Sequence, residues 1–172
     1  MIVKMKNGMV GSMTNDILGH RVSSRYVAME NIAIGTVVVR GDSDTNATTA
    51  DKGAKQIGIA IIKRCGCENV TIDNCSYEAK RLDAPYGNND KDWYQKNECV
   101  SILEEGSTIV RVFEDVMIGD PVFYSVAGDA SIAVDGKTKV VGMCGASGTE
   151  LVDAVYETSA KSFETAVIRI NK

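Results

Sequence analysis

The chain has 172 residues, 44% of them hydrophobic, with 19 Lys and Arg against 23 Asp and Glu and a formal net charge of -4. The basic residues stand singly and form no stripe, which argues against a protein that grips nucleic acid through its phosphates. No apolar run approaches the roughly 20 residues that cross a bilayer, and the first residues lack the charged-then-apolar pattern of a secretory leader, so we expect no membrane partner and production in a cytoplasm.

In chain order, Met1, Met5, Met9, Met13 and Ile17 recur every fourth residue. A helix and a strand both place such a series on one side. Asn7, Gly8 and Gly11 disfavour the helix, so residues 1–24 are expected to form an extended arm. Met adapts to irregular surfaces, which makes Met1, Met5, Met9 and Met13 candidate contacts to a neighbouring subunit, the alternative being a frayed tail.

RYVAMENIAIGTVVVR predicts strands joined through Gly35, and IGIAII, beginning at Ile57, predicts a buried strand beyond a loop of turn-forming residues. Residues 63–98 read as an irregular insertion, with a strand at NVTI, a helical turn at SYEAKRL and a polar loop at APYGNNDKDWY. Tyr86, Trp93 and Tyr94 in that loop are candidate contact anchors for a protein or a sugar. The alternative is that Trp93 covers the end of a barrel. Beyond them, VSIL and TIVRVF flank EEGS and predict a hairpin turning at Gly106. VDAVYETSA and ETAVIRIN alternate apolar and polar positions and predict a closing hairpin.

One register runs through this pattern. IGTVVVRGDSDTN begins at Ile34 and IGDPVFYSVAGDA at Ile118, and an offset of 84 residues pairs Glu30 with Glu114, Gly35 with Gly119, Val38 with Val122 and Gly58 with Gly142. Two copies are too few for a solenoid and point to two related β modules. The expected fold is all-β: a compact barrel- or sandwich-like body with an arm (1–24), a first module (25–62), the insertion (63–98) and a second module with the closing hairpin (99–172).

No catalytic constellation emerges. Asp42, Asp44 and Asn46 open like a calcium loop, but Ala47 and Gly53 stand where Gly and Glu are required. Cys65, Cys67, Cys75, Cys99 and Cys144 are odd in number, and Cys-x-Cys is too close for a structural zinc pair. His20 is the single histidine and has no nucleophile context. We therefore expect no enzyme, metal or cofactor.

VSILEEGSTIVRVFEDVMIGDPVFYSVAGD and VDAVYETSAKSFETAVIRINK resemble the bacteriophage capsid decoration proteins called structural cement proteins, and NIAIGTVVVRG and QIGIAI match them more weakly. These stretches cover about two thirds of the chain and leave Lys63 to Asn97 unaligned. The resemblance implies a virion protein on the outside of a phage head, a homotrimer that bridges major capsid subunits. The alternative is a β-rich module of a phage particle that binds carbohydrate or a host surface through Tyr86, Trp93 and Tyr94.

Overall fold

A computed structural model describes residues 10–13, 20–50, 54–62, 93–126, 133–134 and 137–171. The described residues form thirteen strands and no helix, so the fold is all-β. The strands are β1 (Arg21–Ala28), β2 (Ile32–Ala33), β3 (Val37–Arg40), β4 (Asn46–Thr49), β5 (Gln56–Ala60), β6 (Trp93–Tyr94), β7 (Cys99–Arg111), β8 (Pro121–Tyr124), β9 (Ala133–Val134), β10 (Lys137–Thr138), β11 (Cys144–Gly145), β12 (Thr149–Tyr156) and β13 (Thr165–Ile170).

β1, β4, β3, β5 and β7 pair in that order, and β7 pairs back onto β1, which closes a five-stranded barrel. β7 then continues. Its second half pairs with β13, followed by β12, β8 and β11, and the parallel bridge Val112–Cys144 returns β11 to the end of β7. One thirteen-residue strand thus serves two rings.

The rings follow the same pairing rules. In the first, Ala28 pairs parallel with Ala47, Arg40 with Ala47 and Val37 with Ile59; in the second, Val112 pairs parallel with Cys144, Tyr124 with Cys144 and Pro121 with Val155. Val27–Cys99 answers to Arg111–Thr165, and Ala60–Ile102 to Tyr156–Ile168. The connections repeat as well. Gly35 N–H donates to Ala60 C=O at 2.6 Å and Gly119 N–H to Tyr156 C=O at 2.8 Å, both glycines lying at positive φ, 82° and 89°. A side chain at that φ is strained, which is why Gly stands at both.

The 84-residue register therefore holds from the end of β1 through β3. It fails beyond that point. Gly58 lies inside β5, where its structural counterpart is Ala154, whereas Gly142 sits in a turn whose carbonyl accepts from Val37 N–H at 2.8 Å. Unequal lengths between β3 and β5 and between β8 and β12 shift the later strands.

Alternation explains most of the burial. β12 buries Leu151, Ala154 and Tyr156 and exposes Val152 and Val155, with Asp153 at φ 60° where the register slips. β3 departs from alternation because both of its faces are covered. Val38 joins Tyr26, Ala28, Ile32, Val100 and Ile102 inside the first barrel, while Val37 and Val39 point outward, with Ile59, into the core of the second. Each such side chain contributes on the order of 1.5–3 kcal/mol on burial. Gln56 adds polar joints: its amide N–H donates to Tyr124 Oη at 3.0 Å and Glu150 C=O at 2.7 Å, and its carbonyl accepts from Val152 N–H at 3.0 Å.

Two expectations change. The hairpin at EEGS does not form, because β7 runs straight through Gly106, where a Cβ would collide with the His20 ring. The expected arm is strand from Arg21 onward, and its residues 10–13 bind their own chain: Gly11 N–H donates to Ile109 C=O at 2.6 Å, and Ile62 N–H to Gly11 C=O at 3.1 Å. The closing hairpin is present as β12 and β13.

Candidate interaction surface

Of the candidate contact residues, Met1, Met5, Met9 and Tyr86 lie outside the described residues. Met13 is half-buried and bridges Thr108 of β7. Trp93 and Tyr94 are not loop residues but form β6, paired with Ala33 and Ile32. Trp93 is half-buried, whereas Tyr94 is a core residue of the first barrel: its hydroxyl donates to Ile61 C=O at 2.8 Å and accepts from Ser101 N–H at 3.3 Å. A ring held this way offers nothing to an external ligand, so Tyr94 is removed from the candidate surface.

The titratable groups do structural work. Burial pushes the Cys144 thiol up to about 12, which leaves it un-ionised and unreactive. Burial also raises Tyr156, whose hydroxyl donates to Gly145 C=O at 3.0 Å, and Tyr124, where the Gln56 amide opposes the shift. Glu30 accepts from the Thr48 and Thr49 hydroxyls and from Thr49 N–H, and the hydroxyl bonds, above all Thr48, hold its carboxyl below the usual range. Glu114 does the same mechanical job in the second barrel, accepting from Ala146 N–H at 3.0 Å and the Ser147 hydroxyl at 2.8 Å. The pairing of Glu30 with Glu114 was visible in the sequence. Among the described residues, no three His, Cys, Asp or Glu side chains converge as a metal site would require, while Cys65, Cys67 and Cys75 lie outside them.

The surface does carry an apolar patch that sequence reasoning missed. Met117 and Ile118 lie in the turn before β8, and Val152 and Val155 on the outer side of β12; all four are exposed. Val155 pairs with exposed Pro121, and Gly119 is tied to Tyr156, so turn and strand form one face. Its only sequence signal was that MIGDP and LVDAV hold apolar residues beyond those the inward alternation needs. Asp120, Glu150 and Asp153 adjoin these residues along the chain, all exposed. The nearby cations are engaged, Arg169 with Glu157 at 2.9 Å and Lys161 with Asp115 at 2.8 Å.

Three comparisons bear on this geometry. The family of structural cement proteins described by E217 gp24 and Pam3 gp6 matches residues 2–171. Among solved structures, a chain of the capsid of Myoviridae phage XM1 superposes with a TM-score of 0.60 at 17% identity, covering 100% of this chain and 95% of the other, and so shares the fold. No curated protein sequence matches significantly. With nearly every residue inside the family match, the chain belongs to the structural cement proteins of phages.

Proposed function

We propose that this protein is a capsid cement: a homotrimer, made in the host cytoplasm, that mounts on the outer surface of a phage head and bridges neighbouring major capsid subunits. The observation that carries the reading is the family match across residues 2–171. The architecture supports it. Two barrels sharing β7, clamped by Gln56 and by a common core, make a body that resists deformation, which a clamp between subunits requires. Many copies of a modest contact add up across a shell, since each engaged site holds the next in place. The acidic balance suits a protein that stays on the outside, away from packaged nucleic acid. The carbohydrate-binding alternative drew on Tyr86, Trp93 and Tyr94 together, and the burial of Tyr94 takes one of the three rings out of it.

The test is co-sedimentation of purified protein with expanded heads that lack it. Saturable binding at a threefold-site stoichiometry, with heads that then survive more heat, is the expected result. Absence of binding at micromolar concentration would overturn the cement reading, and monomer at every concentration, free and bound, would overturn the trimer.

A further inference from the structure

The internal repeat gives the strand residues of the second barrel, and the turn before β8, counterparts in the first. Ile118 is 66% exposed and its counterpart Ile34 4%; Val155 is 38% exposed and its counterpart Ile59 0%. Exposed Met117 and Pro121 answer to buried Ala33 and Val37. The first barrel's face is covered by known elements: Gly11 lies against Ile34, and the second barrel's core receives Val37, Val39 and Ile59. The same β face, built by the same pairing rules, is thus an interface in one barrel and bare in the other. Contiguous bare apolar surface rimmed by polar groups marks a docking site.

The rim decides the occupant. Exposed Asp120, Glu150 and Asp153 adjoin the patch residues along the chain, and Lys161 and Arg169 are already held by Asp115 and Glu157. Two copies meeting face to face would press carboxylates on carboxylates, which costs free energy. Within the chain the first barrel's face meets the connection between β8 and β11, where Gly142 C=O accepts from Val37 N–H, so head-to-tail stacking would set the patch on the corresponding β3–β4 corner, Arg40–Asn46, of another copy. That corner is polar, with Asp42, Ser43, Asp44 and Thr45 exposed, and does not complement an apolar face. A partner with an apolar centre and a basic rim complements both parts.

Resting on the cement reading above, we propose that the outer β8–β12 face, centred on Ile118 and Val155, is the surface that seats a major capsid subunit, and that the subunit presents apolar side chains ringed by Lys or Arg.

The experiment compares wild type, Ile118→Asp, Val155→Lys and Glu150→Lys in co-sedimentation with heads lacking the protein, alongside thermal unfolding and sedimentation equilibrium of the free proteins. Ile118→Asp and Val155→Lys are expected to weaken head binding by roughly tenfold or more, as central interface positions do, without lowering the unfolding temperature or changing the free oligomer. Glu150→Lys weakens binding less, and added salt weakens wild-type binding, because the rim acts through screened charge. Wild-type binding with both apolar-site variants binding equally well overturns this face while leaving the cement role standing. Failure of wild type to bind overturns the cement role itself. Dissociation of the free oligomer by Ile118→Asp assigns the face to a second copy and overturns the choice of partner. If either apolar-site variant unfolds, the other and Glu150→Lys, all at exposed positions, carry the test.

Discussion

The two barrels share a wiring diagram and fill it differently. In the first, Tyr94 projects from β6 into the core while Ala60 leaves it room; in the second, Tyr156 occupies the position of Ala60, and Ala160 that of Tyr94. At this junction a single aromatic ring enters each core, from opposite sides, beside a second tyrosine (Tyr26 or Tyr124) contributed elsewhere. Tyr26 and Ala28 of the first barrel likewise answer to Val110 and Val112 of the second. What the copies preserve is hydrogen-bond register rather than residue identity, as interiors that can be repacked allow.

The strongest way to break that comparison is to exchange the ring. Tyr156→Ala removes a buried aromatic and a hydroxyl bond and is expected to cost roughly 3–5 kcal/mol in urea denaturation. Ala160→Tyr alone overfills the core and costs about 1–3 kcal/mol. If the barrels solve one packing problem in two ways, the double variant loses at least about 1 kcal/mol less than the sum. Strict additivity would show that the two positions do not exchange.

A second test uses the counterparts Gly58 and Ala154. A Cβ at residue 58 meets the Leu103 carbonyl, so Gly58→Ala is expected to cost about 1–3 kcal/mol, with a lower unfolding midpoint. Ala154→Gly relieves no clash and removes a buried methyl while loosening the backbone, together about 1–2 kcal/mol. A Gly58→Ala variant as stable as wild type would mean that β5 and β7 do not approach as closely as this at Leu103.

The smallest effect belongs to the carboxylates. Glu30→Ala removes bonds to the end of β4 and Glu114→Ala bonds to the chain just beyond β11, each set worth about 1 kcal/mol at neutral pH. Because the Glu30 carboxyl is held below its ordinary 4.5, its contribution is present above that value and lost as pH falls through the lowered one. The gap between wild type and Glu30→Ala in chemical denaturation should therefore close in acid. A gap unchanged at pH 3 would show that the loss is packing rather than charge.

The same comparison shows what a reader of the sequence sees and misses. The repeat was legible from Glu30 to Arg40 because a positive-φ turn demands Gly at both Gly35 and Gly119 and because the staple needs a carboxylate at both Glu30 and Glu114. The second half of the repeat, where β6 and the start of β7 answer to residues 159–170, was hidden. Its turn sits at positive φ in both copies, on Asn97 at 72° and on Phe163 at 61°. Asn advertises such a turn, whereas Phe conceals it, held there by burial against Phe113 and Met143. The false hairpin at EEGS had a related cause: two Glu and a Gly look like a turn when the strand is in fact crossing from one barrel to the next. The bare β8–β12 face escaped notice because exposed Val and Ile read as core until pairing shows which way they point.

The shared β7 also bears on how the molecule carries load. A force applied to one barrel and resisted at the other meets no linker that can swing or stretch; it runs along thirteen residues of continuous backbone whose flanking hydrogen bonds are strained lengthwise, all together. Separating the barrels then requires shearing one of the two ladders along its length and parting the Gln56 joints and the common core with it, so the protein behaves as a short tie rod, stiff in tension.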